Sequence, residues 1–167
     1  MATHAKILDV TCTQLIQAPP ARVMRAFFAD ADLKGWWQVT RAFSVARPLG
    51  VYAIGWESTD FTDEVLGRLG GSFYGTIIDY RPNAAFVLAD AYWQPPDGEP
   101  IGPMALEVQC RPHGNGRSTM VTVRQRGEGD GPRWERYFSI MGRGWEAALQ
   151  EMRDYIDRQS QRTRRHD

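Results

Sequence analysis

The 167-residue chain predicts an α+β fold: a curved seven-stranded antiparallel sheet wrapped around one long C-terminal helix, with two short helices between the first and second strands. Three observations predict it. One alternating stretch opens the chain and six more follow in series. Helical spacing of apolar residues occurs near the N-terminus and, most strongly, at the C-terminus. The breaks between the later strands are rich in Pro, Gly and Asn, as hairpin connections are.

Residues 6–16 place Leu8, Val10, Cys12 and Ile16 on one parity and Asp9, Thr11 and Thr13 on the other, a half-buried strand with Gln14 as a polar intruder. Ala18-Pro19-Pro20 stops it, and a helix opens at Pro20, where the missing N–H costs little. Val23, Ala26 and Phe27 give that helix its buried stripe. Asp30 is read as the N-cap of a second short helix ending near Gly35, followed by Trp36 and Trp37. From Val39 the period is two: Arg41, Phe43 and Val45, then the turn Arg47-Pro48-Leu49-Gly50, then Tyr52, Ile54 and Trp56. Residues 58–71 interrupt the strands; Phe61, Val65, Leu66 and Leu69 there fit one or two helical turns closed by Gly70 and Gly71. Strands resume at 72–80, 85–93, 104–111 and 118–126.

The last element carries Trp134, Phe138, Met141, Trp145, Ala148, Leu149, Met152 and Ile156 at steps of three and four. Gly142 and Gly144 weaken this helix by about 1 kcal/mol each relative to alanine. Close approach of helix and sheet is the expected compensation.

Composition excludes several function classes. Twenty basic residues balance twenty acidic ones, so no net field draws in nucleic acid or an anionic membrane. All the basic residues but Lys6 and Lys34 are arginine, read as coding bias. Cys12 and Cys110 lack any metal-ligand spacing and sit in strand patterns, where a buried thiol is the plain reading. No signal peptide or membrane-spanning run is present, so a bacterial cytoplasmic protein without membrane insertion is expected. No catalytic or phosphate-binding motif occurs, and no metal or cofactor is expected. Near-neutral charge and loop aromatics leave a homodimer open.

Several motifs together resemble the START-like superfamily, also called SRPBCC or helix-grip. They are Ile16 through Phe27 as the first strand-to-helix passage, Ala31 through Trp37 as the second helix with its tryptophan pair, and Arg47-Pro48-Leu49-Gly50-Val51-Tyr52 as the turn. Gly75 through Pro82, residues 119–127 and Gly144-Trp145 complete the pattern. Glycine is more usual than Leu49 in that turn. The branch most similar is that of the heat-shock protein 90 ATPase activator homologues, and the resemblance covers residues 6–157. It implies a single START-like domain over 1–157 and leaves 158–167 as a basic, frayed tail. Residues 58–71 and 94–102 are longer than the family's usual connections and are expected to cover one mouth of a cavity.

The resemblance implies a hollow between sheet and helix. Parity puts Tyr52, Ile54, Trp56, Phe86, Leu88, Val108, Val121 and Val123 on the concave face, with Asp90, Tyr92 and Gln125 among them. Phe138, Met141 and Trp145 face them from the helix, while Trp36, Trp37 and Phe43 close one end. The expected ligand is an apolar or aromatic small molecule. An enzyme of cyclase, aromatase or hydrolase type is the alternative, with Asp90 as its acid or base and Tyr92 or Gln125 orienting the substrate. An outward-facing Asp90 after a bulge is the competing placement. A chaperone-associated interaction domain is the third reading. It is disfavoured because the activators' homologous domain usually accompanies a second one, and this chain is too short to hold both.

Overall fold

A computed structural model describes residues 4–166; residues 1–3 and 167, at the ends of the expected domain and tail, lie outside it. The elements in order are β1 (Lys6–Ile16), α1 (Pro20–Ala26), α2 (Asp30–Trp36), β2 (Arg41–Ser44), β3 (Val51–Trp56), β4 (Thr62–Asp63), β5 (Gly67–Arg68), β6 (Gly71–Arg81), β7 (Ala85–Gln94), β8 (Ile101–His113), β9 (Ser118–Gly129) and α3 (Pro132–Arg164). Seven of the strands form one sheet in the order β1-β9-β8-β7-β6-β3-β2, every neighbouring pair antiparallel. The expected α+β architecture, with two short helices between the first two strands, is therefore the observed one.

The long helix buries the stripe read from its spacing: Phe138, Trp145, Leu149, Met152 and Ile156, with Tyr137 added. It packs along β1, where the Cys12 thiol donates to the Gly142 carbonyl at 3.5 Å, and an aromatic ring seated on glycine fastens it towards each end. Near its start, the Trp134 ring lies on Gly127 and Gly129 of β9, so closely that a Cβ at either glycine would overlap it. Near its end, the Tyr155 ring covers Gly35 of α2 just as closely. The Tyr155 hydroxyl there donates to Asp32 Oδ1 at 2.8 Å, and Arg22 grips both Asp32 oxygens at 2.9 and 3.0 Å. These contacts tie α1, α2 and α3 together.

Four local expectations are corrected. Asp30 is the first helical residue of α2, with Ala29 at the cap, so its carboxylate acts within the first turn and not as a cap. Residues 58–71 hold no helical turn: β4 and β5 pair as a two-stranded hairpin, because Asp63 Oδ1 accepts the Val65 and Leu66 amides at 3.0 Å each and sets a tight turn. The helix continues through residues 158–164, where a frayed tail was expected. Sheet and helix do approach at Gly142, whose carbonyl accepts from the Cys12 thiol of β1, but the approach does not require glycine: a Cβ on Gly142 meets nothing within 4 Å, and one on Gly144 meets only Met141 Cε at 3.8 Å. The turn at Leu49 shows why glycine suits it, since Leu49 holds φ +62° with its side chain 79% exposed.

Candidate functional site

Between α3 and the sheet a cavity of about 300 Å³ remains. Its wall comes from the end of α2 (Trp37), from β3 (Trp56), from the hairpin segment (Thr59, Leu66, Leu69, Gly70), from β6 and β7 (Phe73, Trp93), from β9 (Gln125) and from α3. The helix contributes Tyr137, Ile140, Met141, Gly144, Trp145 and Ala148, in which small Gly144 and Ala148 leave the room that larger side chains would fill.

Aromatic surfaces dominate. Trp37 meets Trp56 edge-on at 5.3 Å between ring centroids and Trp145 at 5.0 Å, while Trp93 lies against Tyr137 at 5.5 Å. The polar atoms of these rings are mostly turned into the protein. Trp56 Nε1 donates to the Trp37 carbonyl and Trp93 Nε1 to the Gly70 carbonyl, both at 2.9 Å. Trp145 Nε1 donates to Gln125 Oε1 at 2.9 Å, and Gln125 Nε2 donates to the Tyr137 hydroxyl at 2.9 Å. Burial pushes the Tyr137 hydroxyl well above the ordinary phenol range, with the Gln125 contact pulling weakly the other way. No carboxylate, imidazole, thiol or ammonium stands in the wall. Among the described residues no group of three or more His, Cys, Asp or Glu is placed to hold a metal.

The hairpin is fastened over one mouth. Arg136 of α3 donates to Asp63 Oδ2 through Nε at 2.8 Å and Nη2 at 2.7 Å. The Arg136 contact, then the Leu66 amide, hold the buried Asp63 carboxyl down to about 2. The other extended segment, 94–102, does not line the cavity; it braces the hairpin from outside through Arg68 and Asp97 at 3.0 Å.

The structure brings five of the sequence-predicted residues together in the wall: Trp37, Trp56, Gln125, Met141 and Trp145. The others lie elsewhere. Asp90 and Tyr92 were expected inside because β7 was read as unbroken alternation. The pairing instead advances three residues on β7 (Leu88 to Ala91) against two on β8 (Leu106 to Met104), a bulge. Asp90 takes φ +48° there and is exposed, the outward placement after a bulge that competed with the inward one, and Ala91 and Trp93 inherit the inward parity. Tyr92 turns to the outer face, where its ring lies 6.0 Å from Tyr74. Phe43 pairs with Ala53 on the convex side of β2 and is 66% exposed. Tyr52, Leu88 and Val108 are fully buried outside the wall, and Phe138 packs against Trp134 and Tyr137.

Sequence reasoning missed Trp93, Tyr137, Phe73, Leu66 and Leu69. Two signals were available. A charged residue in an apolar strand marks a bulge as readily as a site, and taking Asp90 as one brings Trp93 inward. Tyr137, Met141 and Trp145 also recur at steps of four.

A curved antiparallel sheet gripping one long helix over an apolar hollow defines a START-like protein of the SRPBCC type. More narrowly, the chain belongs to the family of activator of Hsp90 ATPase homolog 1-like proteins, whose model matches residues 17–157. Solved structures share the fold at low identity. A protein of unknown function from Staphylococcus aureus is 15% identical, with 94% of this chain and 98% of that one covered at a TM-score of 0.68. An uncharacterised protein from Rhizobium leguminosarum is 24% identical, with 92% and 97% covered at 0.69. CalU16 from Micromonospora echinospora is 16% identical, with 97% and 90% covered at 0.61. No curated protein matches the chain. Among the described residues no helix is long and apolar enough to cross a membrane.

Proposed function

We propose that the protein binds a neutral, predominantly apolar small molecule between α3 and the sheet. One observation carries this reading: a cavity of about 300 Å³ walled by four tryptophans, with the N–H groups of Trp56, Trp93 and Trp145 already bonded within the protein. Such a wall offers aromatic faces and exclusion of water, and it offers a charged ligand no counter-ion. Binding is favoured over turnover because the wall carries no acid–base side chain near neutral pH, and Asp90, the residue on which a cyclase or hydrolase reading depended, stands on the outer face. The family's description names a chaperone ATPase activator; the cavity supports a small molecule as the partner instead.

Tryptophan emission tests the reading, since four of the six tryptophans line the cavity. Titration with a panel of fatty acids and neutral two- and three-ring aromatics is expected to give saturable quenching or blue shift with the neutral aromatics. A flat response to the whole panel overturns the proposal.

A further inference from the structure

The polar groups behind the cavity wall form a chain with a fixed direction. An indole nitrogen can only donate, so the Gln125 atom that Trp145 Nε1 meets at 2.9 Å is the amide oxygen. That contact sets the orientation of the amide and commits both of its hydrogens. Nε2 donates to Met104 Sδ at 3.4 Å and to the Tyr137 oxygen at 2.9 Å. Tyr137 is therefore an acceptor towards Gln125, and its own hydrogen is left over. No acceptor for that hydrogen stands within bonding distance among the described residues. Tyr137 is only 2% exposed, and its side chain is part of the cavity wall. Burial keeps the phenol protonated across the physiological range, so the group stays a donor. The other indole of the wall, Trp37, is half-buried at the rim.

We infer that the Tyr137 hydroxyl is the polar anchor of the cavity, and that the ligand is a neutral aromatic molecule bearing a carbonyl-type acceptor. This rests on the proposed binding role and deepens it. A buried donor beside an apolar hollow, with no acceptor in the protein, is satisfied only by what enters the hollow. A ligand whose polar groups only donate would face a hydrogen with another hydrogen. A carboxylate would accept from Tyr137 but would bring a charge into a wall without a cation.

The test uses a matched pair of probes, 2-acetylnaphthalene and 2-isopropylnaphthalene, nearly equal in shape and differing in the carbonyl. The full chain is expected to bind the ketone about tenfold more tightly than the hydrocarbon, the worth of one good hydrogen bond. Tyr137→Phe is expected to abolish that preference. The infrared carbonyl stretch of the bound ketone is expected at lower frequency in the wild type than in Tyr137→Phe. Equal binding of the two probes by the wild type, or a preference that survives Tyr137→Phe, overturns the anchor and leaves the apolar-cavity reading standing; the surviving preference would assign the bond to another donor such as Trp37. Binding of neither probe overturns both. Should Tyr137→Phe fail to fold, the wild-type spectrum alone decides, because a carbonyl band at its hydrocarbon-solvent frequency also overturns the anchor.

Discussion

The two ends of the space between sheet and helices are equally rich in aromatic rings, yet one is solid and the other hollow. At the solid end Phe27, Phe28, Tyr52 and Phe86 interlock at centroid distances of 5.0–5.7 Å. The Tyr52 hydroxyl there donates to the Phe27 carbonyl at 2.7 Å. At the hollow end Trp37, Trp56, Trp93 and Trp145 stand around free volume. Neighbouring residues mark the divide, since Trp36 packs on Phe27 while Trp37, stacked 4.8 Å from it, looks into the cavity. What differs is the cover. Helices α1 and α2 fill the solid end with Val23, Met24 and Leu33, whereas over the other α3 presents small Gly144 and Ala148 and the hairpin around β4 and β5 closes one mouth. Aromatic content therefore does not separate core from pocket; the element that plugs the space does.

The sharpest way to break this contrast is by truncation. Phe86→Ala should cost about 3–5 kcal/mol, as for a ring removed from a close-packed core. Phe73→Ala, whose ring already borders free volume, should cost only about 2 kcal/mol for the same chemistry. Chemical denaturation of both variants checks this, and equal losses would mean that the ends do not differ. Filling is the next test. Ala148→Phe should change stability by less than about 1 kcal/mol because it enters existing space, unlike an overpacked core. It should also remove the tryptophan response to neutral aromatics.

A smaller effect concerns the cover alone. The Asp63 carboxyl is held below its unfolded value, so its contribution is complete above about pH 4 and is lost as pH falls towards 2. Hydrogen-exchange protection of the Val65 and Leu66 amides should fall over that interval while the Phe86 region keeps its own. Asp63→Asn should show the low protection at every pH. The smallest effect is expected at Asp90: Asp90→Asn should leave probe affinity unchanged and stability within about 0.5 kcal/mol, as at an exposed position. A loss of affinity in calorimetry would return Asp90 to the site.

Most of the fold was legible because its signals are local and periodic. The stripe of α3 and the alternation of β1, β8 and β9 need only nearest-turn and nearest-strand geometry. The site was legible in part. Trp56, Gln125, Met141 and Trp145 follow from unbroken periodicity, and so they were found. Asp90 and Tyr92 were placed inward and Trp93 was missed because one extra residue in β7 inverts every parity beyond it, and pairing with β6 and β8 decides where that residue sits. The hairpin was misread because Leu66 and Leu69 have helical spacing, while the carboxylate that shapes the turn takes its second partner from Arg136, distant in sequence. Which aromatics stay solid and which border space depends on the docking of α1 and α2, which no single segment encodes.

Two aromatic rings of the long helix are seated on glycines, Trp134 on Gly127 and Gly129 and Tyr155 on Gly35. A single methyl group added at any of these glycines would force the facing ring to shift, and the helix that walls the cavity would have to adjust with it or lose that contact. Selection by size can thus drift through substitutions that a guest molecule never touches. A comparison of relatives confined to cavity-lining positions would overlook these glycines.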